Sequence, residues 1–557
     1  MKKYLKYLVV VAALGGCVLL GSSAKDNTYN LGKSVEMLVN LMRNINLFYV
    51  DDVAPEKLME AAASGMNRIL DPYSEYLPAE SMEDFEVRTT GKYGGVGSLI
   101  RLDGEWVEFT APYKGSPADK AGIRPGDRIV AIDGESTKGF TTQQVSNLLK
   151  GDPGKSVKLT IAKFPTREEV ELKLTRERIA IPGIPYYGMV AEGVGYICHE
   201  EFTEGCSGDF QRAYEALMAE GVTSLVLDYR SNSGGLLQEA VKILSFFLPA
   251  GSEVVSTRSA KRTDDRVFKT ESAPIAADIP LVVLVDGSSA SAAEIVAGAL
   301  QDNDRAVLVG QRTFGKGLVQ GTYHLGYGSY EKLTTAKYYL PSGRCIQAID
   351  YGAHTEGGIT LVPDSLINEF TTRAGRKVYD GGGVMPDVRL EPEYVSTFAA
   401  VAAAQGFVDQ FLADYCARHY EELEGAVVPT KYRFDDEAYE EWRAFMADKE
   451  VAWESAASRR WKEFKAAAEK ERWREDMKEQ MEAIEANLKV TTADNVELYK
   501  SELQKIIENQ MVARYCYVEG GIAHTLPNDK ELQKAVELLG DTTRYRHILT
   551  EQHTERK

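Results

Sequence analysis

Between residues 193 and 390 the chain alternates short, wholly apolar runs with longer segments whose apolar residues recur every three or four positions. SLVLDYR (224–230), PLVVLVD (280–286) and AVLVG (306–310) have the first pattern and predict buried strands. LLQEAVKILSFFL (236–248) and SAAEIVAGALQD (291–302) have the second and predict helices. Strand–helix alternation of this kind predicts parallel strands joined by helical crossovers, which must bury the sheet on both faces. The core is therefore read as α/β.

The pattern differs on either side. Before residue 90, Val35, Leu38, Val39 and Met42 fall at helical spacing until LDPYSEYLP (70–78) breaks the periodicity with two prolines. From Gly91 to Phe164 the texture is of short strands and Gly-rich turns: YGGVGSLI, EWVEFTA, GIRPGDRIVAIDGEST, then a helix TTQQVSNLLKG and a strand SVKLTIAKF. Beyond Glu391 the chain is helix-forming and charge-rich, as in residues 458–488, where Trp461, Phe464 and Trp473 are expected to pack the helix onto another element. The domains are read as an export signal over 1–24, a helical region over 25–90, a β-rich domain over 91–175, the core over 176–395 and a helical region over 396–557.

Composition narrows the function. A chain of 557 residues is too long for one core. A formal charge of -18 disfavours nucleic acid as a partner and leaves protein or peptide ligands open. Lys2, Lys3 and Lys6 ahead of an apolar run from Tyr7 to Leu20 read as an export signal, placing the protein in the periplasm or cell envelope. Leu14-Gly15-Gly16-Cys17 resembles a lipobox, Ser22-Ser23-Ala24 suits ordinary signal cleavage, and a retained anchor is the third route, so membrane attachment through the N-terminus stays open. Cys198, Cys206, Cys345, Cys416 and Cys516 lack a disulfide or metal-ligand spacing and are expected to be buried thiols. No metal or cofactor is called for, and the oligomeric state is left undetermined.

In a parallel sheet, the loops that follow the strands gather at one carboxyl edge, where ligands bind. RSNSGG (230–235), DGSSAS (286–291) and QRTFGKG (311–317) each leave a predicted strand and should converge there. Ser291-Ala-Ala-Glu294 reads as a capping box, and Lys316 alone as a solvated charge. Together they fit a nucleophile and its base: a neutral lysine amine takes the serine proton and returns it to the leaving amine. Such a lysine must be made less basic, and Phe314, Leu318 and the helix N-terminus at Ser291 are the features expected to do so. Gly234 or Gly235, with Ala292, could supply oxyanion N–H groups, although the glycines also suit a plain strand-to-helix turn. Among the histidines only His324 is near these motifs, which makes a Ser–His triad the weaker proposal.

The β-rich region resembles the circularly permuted PDZ domains of bacterial proteases, on the strength of GGVGSLI and GSPADKAGIRPGDRIVAIDG. That resemblance implies that Gly94, Gly95, Val96 and Gly97 form a loop offering backbone N–H groups to a peptide carboxylate. From Leu70 to Leu390 the chain resembles the C-terminal processing peptidases, or tail-specific serine proteases, through LDPYSEYLP, TTGKYGGVGSLI, DYRSNSGGLL, GSSASAAEIVAGALQD, TFGKGLVQ and DGGGVMPDV. It implies a crotonase- or caseinolytic-protease-like core with an inserted PDZ domain and a hydrolase acting on protein or peptide substrates with free C-termini. It further implies Ser291 as nucleophile, Lys316 as base, Gln320 as the residue orienting the lysine, and a Gly234 or Gly235 amide plus that of Ala292 as oxyanion hole. Gln320 rests on the resemblance alone. Ser233 stands where many relatives carry proline, and Asp302 is expected to be structural. A catalytically silent PDZ scaffold or chaperone of the same fold is the alternative, against which the Ser291 and Lys316 pair argues; an acyl-CoA enzyme is a further rival, disfavoured by the PDZ domain.

Overall fold

The computed structural model describes residues 29–260, 262–349, 364–423, 425–471, 478–488 and 490–550, so the N-terminal signal with Cys17, and Trp473, lie outside the described residues. Two units make up the chain.

The first unit contains residues 29–82 and 320–335. Helix 29–48 carries the predicted periodicity, with Val35 and Val39 exposed and Leu38 and Met42 half-buried. A second helix, Pro55–Asn67, starts with proline, whose missing N–H would be unsatisfied there in any case. The next segment departs from the all-helical reading. Pro72 and Pro78 exclude helix, Asp71 Oδ1 accepts the N–H groups of Tyr73 (2.8 Å) and Ser74 (2.9 Å), and Glu75–Leu77 becomes a strand. It pairs antiparallel with Tyr330–Lys332, Glu75 opposite Lys332, with an ion pair of 2.8 Å between those two.

The second unit holds everything else that bears on chemistry. Its β-rich part is an antiparallel sheet in the order Ser98–Asp103, Trp106–Pro112, Arg128–Ile132, Ser156–Ala162, Glu169–Thr175. Helix Thr142–Leu149 closes it, started by the Thr141/Gln144 capping box. Val107, Phe109, Ile129, Val145, Leu159 and Ile161 form its core, and Ser98–Asp103 is left as an edge strand.

The central sheet runs Tyr186–Ala191, Val194–Cys198, Ser224–Asp228, Leu281–Val285, Val307–Gly310, Val388–Arg389; the first pair is antiparallel and the rest are parallel. Side chains alternate between its faces. Leu225, Leu227, Leu281, Val283, Val285 and Leu308 point to one face, beneath helices Cys206–Ala219, Leu237–Ser245 and Ala292–Asp302. Val226, Val282, Leu284, Val307 and Val309 point to the other. That second face is covered by helices from the far C-terminus: Leu532, Ala535, Leu538 and Leu539 from Lys530–Gly540, and Tyr545 and Ile548 from Thr542–Thr550. Crossover helices thus cover one face only, and the charge-rich C-terminal region supplies the rest of the core.

Preceding those two helices is a helical domain with its own core of Phe398, Phe411, Trp442, Leu503, Ile507 and Met511. Within helix Ala456–Lys470, Trp461 and Phe464 stack on each other at 5.4 Å, and Lys465 pairs with Glu485 of Lys478–Leu488 at 2.7 Å. Among the described cysteines Cys206 and Cys416 are buried and Cys198, Cys345 and Cys516 half-buried, all as free thiols. Asp302 is structural: it is fully buried and paired with buried Arg344 at 2.8 Å.

Candidate active site

Three loops at the carboxyl edge of the central sheet do meet, and hydrogen bonds donated by backbone N–H groups, one of them to the Asp286 carboxylate, hold them. Ser231 N–H donates to Asp286 at 3.0 Å, Ala290 N–H to the Asn232 carbonyl at 2.9 Å, and Phe314 N–H to the Ser289 carbonyl at 3.0 Å.

The serines of the central loop differ in environment. Ser289 is fully buried, and its hydroxyl donates to the Tyr229 carbonyl at 2.8 Å, which makes it a loop brace. Ser288 is exposed. Ser291 starts the helix Ala292–Asp302 at φ 55°, ψ -113°. The capping residues Ser116, Thr141 and Ser455 keep extended backbone at φ -72°, -73° and -66°. A positive φ on a non-glycine residue is strained, and Ser231 in the neighbouring glycine turn shares it at φ 60°.

Glu294, read from sequence as half of a capping box, has a wider role. Its carboxylate is fully buried and accepts four hydrogen bonds: from Ser291 N–H (2.9 Å) and Lys316 N–H (2.9 Å) on Oε2, and from Gly315 N–H (2.7 Å) and the Thr313 hydroxyl (2.5 Å) on Oε1. Burial pushes its carboxyl above the ordinary range against the pull of those donors. On the carbonyl side, the Tyr338 hydroxyl donates to Lys316 O at 2.5 Å and Ser291 O at 3.2 Å. Glu294 and Tyr338 therefore brace the two backbones that sequence reasoning paired; capping-box spacing hid the first, and no local motif marks the second.

The glycine turn lies against the serine. A Cβ on Gly234, at φ +103°, would stand 2.7 Å from the Ser291 Cβ and 3.0 Å from the Ala292 nitrogen. Gly234 N–H donates to Oδ1 of buried Asn232 at 2.8 Å. Leu318 is buried and Phe314 is 45 % exposed. Gln320 Nε2 donates to Thr334 Oγ1 at 3.1 Å within the first unit. Next to the glycine turn a cleft of about 980 Å³ opens, lined in part by Arg230, Ser231, Ser233, Asp286 and Gln311.

In the β-rich domain Gly94 and Gly95 end the strand Lys92–Gly95, paired with Arg178 and Glu177, so only Val96 and Gly97 form the turn. Gly94 is glycine because a Cβ there would lie 2.2 Å from the Gly151 carbonyl oxygen; Gly97 adopts φ +79° against Ser116.

Sequence comparison agrees with this anatomy. Residues 193–356 match the model of peptidase family S41, residues 108–163 a PDZ domain, and residues 403–539 the C-terminal helical domain of a probable PDZ-protease. A carboxy-terminal-processing protease of Bartonella bacilliformis is 35% identical over 356 residues, covering 63% of this chain and 79% of that protein. A probable CtpA-like serine protease of Staphylococcus aureus is 36% identical over 58% of this chain and 64% of its own length. Among solved structures, the photosystem II D1 C-terminal processing protease overlaps with TM-score 0.35 at 29% identity, over 64% of this chain and 87% of that one.

Proposed function

Because this chain belongs to the carboxy-terminal-processing proteases, serine proteases with a family S41 core and a PDZ domain, we propose that it works through a Ser291–Lys316 pair on protein tails in the cell envelope. The observation that carries this reading is the shared anchor of Ser291 and Lys316 on Glu294, with Ser291 strained at its helix start.

The steps follow from that arrangement. Lys316, as a neutral amine, takes the Ser291 proton while Oγ attacks the scissile carbonyl, and the ammonium then protonates the leaving amine. Water hydrolyses the acyl-serine by the same exchange. Since the Gly234 N–H is engaged by Asn232, the Gly235 and Ala292 N–H groups are assigned to the developing oxyanion, with the helix dipole behind Ala292 adding positive potential. Gln320 orienting Lys316 remains part of the proposal on family grounds.

The PDZ domain delivers substrate. An extended tail adds to the open edge of Ser98–Asp103, and its carboxylate is held at the Val96–Gly97 turn. Export, with cleavage or lipidation near Cys17, completes the proposal and rests on the N-terminal sequence.

The test is hydrolysis of a fluorogenic peptide with a free C-terminus by wild type, Ser291→Ala and Lys316→Arg. Arginine cannot become a neutral base at any working pH, so both variants should be inactive with unchanged circular dichroism. A fully active Lys316→Arg protein would remove the lysine from the chemistry.

A further inference from the structure

The loops that carry the glycine turn and Lys316 are rooted in residues of the C-terminal helical region. Arg230 stands one residue, Tyr229, beyond the strand Ser224–Asp228 and leads into the Ser231–Gly235 turn; Gln311 directly follows Val307–Gly310 and leads into the Lys316 loop. Both side chains reach the first turn of helix Lys530–Gly540.

Asp529 caps that helix by accepting the N–H groups of Glu531 (3.0 Å) and Leu532 (2.9 Å) on Oδ1, which leaves Oδ2 to accept from Arg230 Nη2 at 2.6 Å. Glu531 accepts from Arg230 Nη1 at 2.8 Å on Oε2 and from Gln311 Nε2 on Oε1. Arg230 also donates from Nε to Asp228 at 2.9 Å, and Asp228 accepts the Tyr196 hydroxyl at 2.7 Å. Each link is charge-assisted or bidentate, and the side chains of Arg230, Asp529 and Glu531 are 21%, 15% and 15% exposed, so water screens them little. Burial works against the guanidinium's charge, but Asp228 and Asp529 outweigh it and hold its proton.

We propose that Asp529 and Glu531 are positioning residues for hydrolysis: one helix terminus clamps the roots of the oxyanion turn and the lysine loop and fixes their separation. The last two helices are then a working part of the active site as well as a cover for the sheet. This rests on the Ser–Lys reading above. Hydrolysis needs the amide donors and the amine set together to within a fraction of an ångström, and a displacement of about 1 Å costs on the order of 10²-fold in rate. Substrate capture by the PDZ edge strand does not use the clamp, so the signature is a loss in kcat without a rise in KM.

The experiment uses the full chain and a free-acid fluorogenic peptide. Wild type, Ser291→Ala, Glu531→Gln, Asp529→Asn, Gln311→Leu and Lys534→Gln are compared for kcat, KM, the rate of Ser291 labelling by a fluorophosphonate, and thermal unfolding. Glu531→Gln and Asp529→Asn should each lower kcat and labelling rate at least tenfold at unchanged KM, with the double variant less than additive. Gln311→Leu removes one link without removing a charge, and should lower kcat severalfold even if the charge variants unfold. Lys534→Gln, on the same helix but paired with Glu537, should keep wild-type kcat. Wild-type kcat in Glu531→Gln or Gln311→Leu, with or without a lower melting temperature, would overturn the clamp. An unlabelled Ser291, or a Ser291→Ala protein as active as wild type, would instead sink the Ser–Lys reading.

Discussion

The backbone N–H groups of Ser291 and Lys316, 25 positions apart in sequence, donate to the same oxygen of one buried carboxylate, Glu294 Oε2, at 2.9 Å each. The separation of the two loops is thereby set by a hydrogen-bonded anchor beneath them. Glu294→Gln replaces one acceptor oxygen with an NH2 group facing N–H donors, leaving at least two buried donors unsatisfied. The expected result is a loss of stability of about 1–3 kcal/mol, read by denaturant unfolding. It should be accompanied by a fall in kcat on the order of 10²-fold in the folded enzyme. Unchanged kinetics would show that the loops hold their places without it.

Gly234→Ala tests the approach of the glycine turn to the serine. Its methyl would lie 2.7 Å from the Ser291 Cβ and 2.8 Å from the Ala290 carbonyl oxygen, on a backbone at φ +103°. Either the turn or the nucleophile must move, so kcat/KM should drop by about 10²-fold or more while peptide binding to the PDZ domain is kept. Steady-state kinetics and peptide titration distinguish the two effects.

The PDZ turn is tested on the ligand. Amidating the C-terminus of a substrate peptide removes the charge that backbone N–H groups at the Val96–Gly97 turn would hold, and binding by fluorescence anisotropy should weaken about tenfold or more. Equal affinity for acid and amide would mean that the domain reads another feature of its ligand.

His199 makes the core sensitive to acid. Its ring is buried against Phe202 at 4.2 Å, and burial lowers its pKa from 6.5 to about 4. Between those pH values the unfolded chain binds a proton that the folded chain refuses, so stability is full above pH 6.5 and is lost as pH falls toward 4. Over that window His199→Gln should flatten the dependence of unfolding free energy on pH by up to about 1.4 kcal/mol per pH unit. Urea denaturation of both proteins at several pH values measures the slope, whatever the absolute stability of the variant.

The sequence by itself determined what is encoded locally. Apolar runs marked the strands, and turn residues placed RSNSGG, DGSSAS and QRTFGKG at strand ends that a parallel sheet must bring to one edge. Around Ser291 the local signal was that of a helix cap, and only its pairing with Lys316 on a converging loop raised the nucleophile reading. The wholly apolar strands also required a cover on both faces of the sheet, but did not say which segment provides the second. The tertiary structure decided that Lys530–Gly540 and Thr542–Thr550 do, because their apolar stripe fits the face bearing Val226, Val282, Leu284, Val307 and Val309. It turned Glu294 from a cap into an anchor for two loops, and joined Arg230 to Glu531 across 301 positions. Neither was legible in the chain, since a carboxylate's partners are chosen by which donors folding brings within 3 Å, and spacing along the sequence constrains only those one helical turn away.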